Sequence, residues 1–233
     1  QNGIFFNQAA HIQFHQLTVR QNSSVNNNAV ILIGRGHNIT ISNCVLWGHQ
    51  SSTSSATDYL ILGTCDSNLT VKNNVLRNAV SGFSATNTAV THQHLKVTGN
   101  EFFGINQDYF YLQGGAFAEI KNNTFDVGGS LTANAIFLTQ TSRATVWGNR
   151  IRMQNTAQNS AGIRITSSAG FPAQPLLVAN NSISYDAGGA LIANGILCSS
   201  TFQLSVVYNS VRMNGGVNSS AIQIPSGGDI VLL

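Results

Sequence analysis

A short motif recurs along almost the whole chain and constrains its fold more than any other feature. The motif reads apolar-x-apolar-x-x-Asn-x-apolar, and Leu69–Leu76 and Leu95–Phe102 are two clear copies. Leu17 and Cys44 occupy the Asn position in the first two copies, and Asn occupies it in the later six. These positions, 17, 44, 74, 100, 123, 149, 181 and 209, are separated by 23 to 32 residues, with a mean of about 27. A repeat of this period predicts a solenoid in which turns of variable length connect constant strands.

The pattern within each copy indicates β-strands. Apolar and polar residues alternate, so that Leu69 and Val71 are predicted to point inward and Thr70 and Lys72 outward. A second apolar segment lies between the copies, for example Asn134–Leu138. The sequence therefore predicts an all-β parallel β-helix of about nine coils, with three short strands per coil, stacked about 4.8 Å apart.

The composition fits this fold and excludes several partners. Only 8% of the residues are charged and 27 are Asn, a residue that tolerates left-handed turns. The net charge of +3 comes with no basic run, so we expect no nucleic-acid partner. No apolar stretch is long enough to span a bilayer, so we expect no membrane insertion. The three widely spaced cysteines, Cys44, Cys65 and Cys198, predict buried thiols rather than disulfides or a zinc site.

The recurring V-x-N-N-x-I/F unit resembles the repeat of right-handed parallel β-helices in the pectate-lyase-like superfamily. The Asn column at 74, 100, 123, 149, 181 and 209 resembles the asparagine ladder of that superfamily. The resemblance covers nearly the whole chain and implies a secreted or cell-surface protein. We expect residues 1–233 to form a single β-helix domain that is cut at both ends, with further coils or caps of the same protein beyond them.

The motifs that carry catalysis in this superfamily are missing from the sequence. Polygalacturonase-like enzymes carry paired carboxylates, and no such pair is present. Pectate-lyase-like enzymes hold calcium with clustered acids beside a basic residue, whereas the eight acids of this chain are scattered. We therefore expect no cofactor, unless the protein is a lyase, in which case the resemblance implies calcium.

One outward position, six residues after the inward residue of the motif, is rich in arginine and aromatic residues. An arginine binds a carboxylate through two hydrogen bonds and an aromatic ring stacks on a sugar, so this stripe predicts a cradle for an acidic polysaccharide. Lys72, Lys96 and Lys121 are placed on the same longitudinal face. The alternative is that arginine stems simply cover the sheet while their heads stay in water. The predicted substrate-binding stripe consists of Arg20, Trp47, Arg77, Phe103, Asp126, Arg152 and Arg212, with Ser184 in the same register.

A mixed-charge cluster in the central coils gives the candidates for catalysis. Lys121, Arg150 or Arg152 would be the base or would neutralise a substrate carboxylate, and Glu101 or Asp126 would be calcium ligands. The alternative is that these residues form charge pairs between adjacent strands, each of which stabilises the fold by about 0.2 kcal/mol or slightly more.

Two functions from different classes remain open on the sequence. The first is an extracellular structural or adhesive module that binds polysaccharide along the stripe. The second is a polysaccharide lyase, or a related carbohydrate-active enzyme, acting on an acidic glycan. The missing carboxylate pair weighs against catalysis in this segment.

Overall fold

The computed structural model describes residues 3–21, 29–49, 58–63, 67–86, 92–128, 132–154, 159–170, 173–186, 193–214 and 219–233. Every regular element within these ranges is a strand, and none of these residues belongs to a helix that would cross a membrane. In chain order the strands are β1 Ile4–Phe6, β2 Ala9–Ala10, β3 Gln13–His15, β4 Thr18–Arg20, β5 Ala29–Ile33, β6 Gly36–Ser42, β7 Val45–Trp47, β8 Tyr59–Gly63, β9 Ser67–Lys72, β10 Val75–Ala79, β11 Ser81–Thr86, β12 His92–Gln93, β13 Lys96–Thr98, β14 Glu101–Ile105, β15 Phe110–Ala116, β16 Glu119–Lys121, β17 Thr124–Gly128, β18 Asn134–Ser142, β19 Thr145–Trp147, β20 Arg150–Gln154, β21 Ser160–Thr166, β22 Leu176–Ala179, β23 Ser182–Asp186, β24 Ala193–Val207, β25 Ser210–Asn214 and β26 Ser220–Leu232.

The strands stack in parallel on three faces of a solenoid. The first face contains β1, β5, β8, β11, β15, β18 and β21, and the second contains β3, β6, β9, β13, β16, β19 and β22. The long strands β24 and β26 run through both of these faces, which belong to one 18-stranded sheet. The third face is a separate sheet of eight strands, β4, β7, β10, β14, β17, β20, β23 and β25. The three-strand coil is confirmed, and these eight strands enclose seven full turns, slightly fewer than the predicted nine coils.

The core is a continuous apolar column of aliphatic side chains and buried aromatic rings, and the alternating pattern predicted which residues point into it. Val71 and Val97 are adjacent in the strand register of the second face, and both are completely buried. Their neighbours Thr70 and Lys96 point outward and are partly or fully exposed. The strands of each coil contact only the coils above and below. Burial of apolar side chains along this column therefore supplies the main driving force for stacking.

The corner between the second and third faces is made by two residues with different tasks. The first residue adopts a left-handed conformation, with φ of 55° at Asn73, 54° at Asn122 and 67° at Gly99. Asn and Gly tolerate this conformation at little cost, which explains why they recur there. The second residue is the buried Asn of the motif. Asn123 is 1% exposed, for example.

The buried asparagines are hydrogen-bonded to one another along the solenoid. The Nδ2 group of Asn100 donates to Oδ1 of Asn123 at 2.9 Å and to the carbonyl of Val71 at 2.9 Å. The same pattern links each neighbouring pair from residue 74 to residue 209. Cys44 ends the column, since only its backbone N–H reaches Oδ1 of Asn74, at 2.9 Å. These bonds satisfy amides that would otherwise be buried at a high cost.

This corner also corrects the predicted placement of the lysines. Lys72, Lys96 and Lys121 lie in β9, β13 and β16 of the second face, whereas the arginine–aromatic stripe lies on the third face. The prediction of one common longitudinal face is therefore wrong. Alternation tells two sides of one strand apart, but it does not carry around a corner at which the chain turns into another sheet.

Two of the three cysteines are described, and both are free and buried. Burial raises the pKa of the Cys198 thiol to about 12. A thiol that stays protonated at neutral pH is unreactive, so Cys198 is a core residue. Cys65 lies outside the described residues.

Candidate functional site

The predicted arginine–aromatic stripe exists as a single straight register on the third face. Its members pair strand by strand from Arg20 and Trp47 at one end to Ser184 and Arg212 at the other. All of them are exposed or partly exposed. The register prediction is thus confirmed, while glycan binding by the stripe stays a prediction.

The aromatic part of the stripe is engaged with its own neighbours. The guanidinium carbon of Arg20 lies 4.6 Å from the Trp47 ring centroid, and that of Arg77 lies 3.8 Å from it. The two arginines come from the coils on either side, so both faces of the Trp47 ring are covered. Arg77 also lies 5.8 Å from the Phe103 ring. This cation–π stack joins four coils, and Trp47 has no free face for a sugar ring.

The charged part of the stripe is dispersed. Arg212 pairs with Asp186 at 3.0 Å, and Asp126 accepts a hydrogen bond from Gln154 at 3.2 Å. Glu101 and Arg150 lie in a neighbouring outward column, with Thr124 between them. Within the described ranges no three His, Cys, Asp or Glu residues come together as a metal-binding group. Glu101 and Asp126 lie in different columns of adjacent strands, and their predicted role as calcium ligands stays conditional on lyase activity.

The second face carries a group of cations that is separate from the arginines of the third face. All three lysines of the sequence, Lys72, Lys96 and Lys121, occupy outward positions on three consecutive coils. Arg143 lies at the corner of the next coil, and Glu119 is the one carboxylate among the described outward residues that these four coils contribute to the second face. Counted over the described residues of these four coils, four cationic side chains and one anionic side chain give the second face a formal charge of +3.

Glu119 is surrounded by these cations. Lys121 Nζ donates to Glu119 Oε2 at 2.9 Å, and this hydrogen bond is the main reason that the pKa of Glu119 is lowered. The charges of Lys121, Lys96 and His94 lower it further, against an opposing effect of burial. Lys121 is therefore engaged in an ion pair with Glu119. This geometry disfavours Lys121 as a catalytic base and leaves it as a charge on the surface.

An exposed tryptophan that the sequence analysis did not single out continues this face. Trp147 follows Lys121 in the same outward column, on the next coil, and is 39% exposed. In the described part of the chain no ring or cation stacks on it, in contrast to Trp47. The alignment of Trp147 with Lys121 could be predicted from the motif copies, whereas the accessibility of its ring could be learned only from the structure.

Two grooves lie along the same face, beside the corner that leads to the first face. One has a volume of about 310 Å³ and is lined by Phe117, Glu119, Arg143 and Leu177, with Pro175 forming a wall. The other has a volume of about 320 Å³ and lies among the polar side chains of the first three coils, including those of residues 11, 38 and 70. The second face thus combines concavity, positive charge and an aromatic surface.

Comparison with known proteins agrees with this architecture. Residues 59–231 match the family described as right handed beta helix region. DFA-IIIase from Arthrobacter chlorophenolicus A6, without its lid, superposes with a TM-score of 0.58 at 12% identity over 96% of this chain and 63% of its own. The A-module of a mannuronan C-5 epimerase from Azotobacter vinelandii gives a TM-score of 0.51 at 10% identity, over 93% of this chain and 80% of that one.

A tailspike protein mutant of E. coli bacteriophage HK620, in complex with pentasaccharide, gives a TM-score of 0.52 at 13% identity, over all of this chain and 44% of its own. The chain spans less than two thirds of the length of the DFA-IIIase and tailspike structures. No curated relative is similar enough in sequence to be matched. At these identities the likeness to solved structures establishes the fold alone.

Proposed function

Because this chain belongs to the right-handed β-helix family, we propose that it is a structural or adhesive module that holds an acidic polysaccharide along its second face. The single observation that carries the proposal is the placement of three lysines on consecutive coils in two neighbouring outward columns: Lys72 and Lys121 lie in the column that leads to the exposed Trp147, and Lys96 lies in the next column. Among the proteins of similar fold, one is an epimerase of mannuronan and another is in complex with pentasaccharide. These names support a saccharide as the partner.

The spacing of the second face suits an extended polyanion. Adjacent coils of a β-helix are about 4.8 Å apart, so the lysines present one cationic group per coil, which alternates between two neighbouring outward columns. A chain of sugar carboxylates laid along the solenoid would meet successive ammonium groups and then the apolar face of Trp147. Charge contacts of this exposed kind contribute about 0.2 to 1 kcal/mol each, and affinity would come from their repetition.

We extend the proposal to a secreted or cell-surface location, because the acidic polysaccharides of cell walls and matrices lie outside the cell. Lyase activity is the alternative from another class, with Arg150 or Arg152 as the base. Lys121 is a weaker candidate for the base, because its ammonium group is paired with Glu119.

Isothermal titration calorimetry with oligogalacturonate and alginate oligomers would test the proposal. We expect measurable binding by the unaltered protein and a loss of about tenfold in the double variant Lys96→Gln, Lys121→Gln, which corresponds to about 1.4 kcal/mol. The matched control, Arg150→Gln with Arg152→Gln, makes the same charge change on the third face and should bind as before. Poly-L-glutamate serves as a control polyanion without sugar rings and should bind more weakly.

The same experiment distinguishes the second face from other binding surfaces and binding from lyase activity. Equal loss in both double variants would show that binding is not confined to the second face. Loss only in the arginine variant would assign it to the predicted stripe instead. Ultraviolet absorbance from unsaturated uronates, appearing with calcium and abolished by the arginine changes, would establish the lyase alternative.

A further inference from the structure

The corner between the first and second faces changes its residue types along the solenoid. In two early coils it is occupied by Asn38 and Asn68, both with a φ of 55°, and Asn68 Nδ2 donates to Asn38 Oδ1 at 2.9 Å. In the next three coils it is occupied by His94, Phe117 and Arg143, with φ of 56°, 58° and 53°. Asparagine tolerates this left-handed conformation, whereas side chains as large as those of Phe and Arg rarely adopt it. The later coils therefore carry large planar groups at a position where asparagine would fold more easily, and such positions cluster at functional sites.

The three planar side chains form one stack along the corner. The rings of His94 and Phe117 are 5.0 Å apart and nearly parallel, with 9° between their planes. The Arg143 guanidinium carbon lies 4.9 Å from the Phe117 ring centroid on the following coil. Both Phe117 and Arg143 line the groove of about 310 Å³ on the second face. The cation–π contact thus presents a guanidinium group to this groove in a defined position.

The opposite wall of the groove is apolar and fixed. Glu119, Thr145 and Leu177 are register neighbours in one outward column of β16, β19 and β22, and all three line the groove. Pro175 extends the apolar wall next to Leu177. A Cβ atom placed on Gly170 would lie 2.7 Å from Pro175 Cα, so the chain at Pro175 packs against backbone that leaves no room for a side chain. The wall is therefore in place before a ligand binds, as is usual for binding sites.

The charged groups of the groove favour one orientation of a ligand. The hydrogen bond from Lys121 lowers the pKa of Glu119, so Glu119 is ionised at neutral pH. A carboxylate of the ligand is repelled by Glu119 and attracted by Arg143, which lies on the next coil. Hydroxyl groups of the ligand can donate to Glu119 and Thr145. A ring that carries one carboxylate, several hydroxyl groups and an apolar face of C–H groups is a uronate.

We propose that this groove is a subsite that binds one free uronate unit of the acidic polysaccharide, with Arg143 holding the carboxylate and Pro175 and Leu177 packing against the ring carbons. This inference rests on the proposed function and adds to it a position on the corner and a requirement for an unesterified carboxylate. The planar guanidinium group binds a carboxylate through two hydrogen bonds, which a lysine cannot do. The lysines of the second face attract the neighbouring units of the same polysaccharide.

Calorimetry with trigalacturonate and trimannuronate, and with the methyl esters of both, tests the subsite. We expect at least one free trisaccharide to bind and its ester to bind about tenfold more weakly, because the ester cannot form a charge-assisted pair with Arg143. Arg143→Lys keeps the charge but removes the planar fork, so the affinity should also fall about tenfold. Leu177→Trp fills the groove and should abolish binding. Its matched control, Ser205→Trp, places the same ring in the same column one coil beyond the groove and should bind as the parent protein does.

Arg143→Asn separates binding from folding. Asparagine suits the φ of 53° at this corner, so the midpoint of urea denaturation should not fall, while the affinity for the free trisaccharide should fall about tenfold. A lower midpoint with unchanged affinity would show that Arg143 stabilises the corner and binds no ligand, and would overturn the inference.

The outcomes also distinguish the subsite from the lysines. Lys72 and Lys96 do not line the groove, so Lys72→Gln with Lys96→Gln reports on the rest of the second face. Uronate binding that is weakened by this pair, but is unchanged in Arg143→Lys and Leu177→Trp, would overturn the subsite and leave the proposed function standing. Failure of both free trisaccharides to bind, with longer oligomers still bound, would do the same. Failure of every uronate oligomer to bind would overturn both proposals. Loss of binding in Leu177→Trp and not in Ser205→Trp, with circular dichroism showing both folded, would support the subsite.

Discussion

The buried amide column makes a quantitative prediction at Asn123. Its side chain takes part in four hydrogen bonds: two donated, to Val97 O at 2.9 Å and Asn149 Oδ1 at 3.0 Å, and two accepted from the backbone and side chain of Asn100, both at 2.9 Å. Each such bond contributes about 1 kcal/mol net. Asn123→Ala should therefore lower the free energy of unfolding by about 4 kcal/mol, since water cannot replace the lost bonds at a site that is 1% exposed.

Two control variants separate this effect from the general sensitivity of a corner. Asn122→Gly changes the adjacent exposed residue, whose φ of 54° suits glycine, and should change stability by no more than about 0.5 kcal/mol. Asn209→Ala removes the same pattern of bonds at the end of the column, where the side chain is only partly buried, and should cost about half as much as Asn123→Ala.

Urea denaturation followed by circular dichroism measures all three variants. Hydrogen exchange adds a local reading, because the Asn100 amide loses its acceptor, Asn123 Oδ1, and should exchange faster in Asn123→Ala. A cost below about 1 kcal/mol for Asn123→Ala, or one no larger than that of Asn209→Ala, would refute the view that the column holds the coils together.

Three further predictions concern single positions. Cys44→Asn would extend the column by one amide able to donate to Asn74 Oδ1, so the free energy of unfolding measured in urea should rise. A fall in this free energy of more than about 1 kcal/mol would show that the position does not accept an amide. Trp47→Leu removes two cation–π contacts and should cost about 1 to 2 kcal/mol in the same assay, and no change would show that the stack with Arg20 and Arg77 is not stabilising. Asp108 has a folded-state pKa above its ordinary value of 3.8, so its contribution to stability is full below that value and is lost as the pH rises through the folded pKa. Asp108→Asn should therefore be more stable than the parent protein at pH 7 and lose this advantage below pH 3.8. A difference that stays constant across the pH range would contradict the burial of this carboxyl group, which accepts a hydrogen bond from Asn134.

The coil architecture could be predicted from the sequence because it rests on local patterns. Alternation placed Val71 inside and Lys72 outside, and the recurring Asn marked the corner at residue 74. The stripe from Arg20 to Arg212 was also predictable, because a constant offset within one strand is preserved from coil to coil. These inferences needed only the period of a strand and the length of the repeat.

The candidate site was less predictable because it depends on relations across corners. The motif gave no angle between the second and third faces, so Lys121 and Arg152 were assigned to one surface although they lie in different sheets. The sequence made Trp47 a candidate for stacking on a sugar ring, but the guanidinium groups of Arg20 and Arg77 already stack on the Trp47 ring.

The most direct test of glycan binding on the second face uses the three lysines as reporters. Reductive methylation with ¹³C-formaldehyde keeps their positive charge and labels Lys72, Lys96 and Lys121. Titration with oligogalacturonate should shift all three lysine signals with one common affinity. Saturable binding detected by calorimetry on the same sample, with all three lysine signals unmoved, would contradict the account.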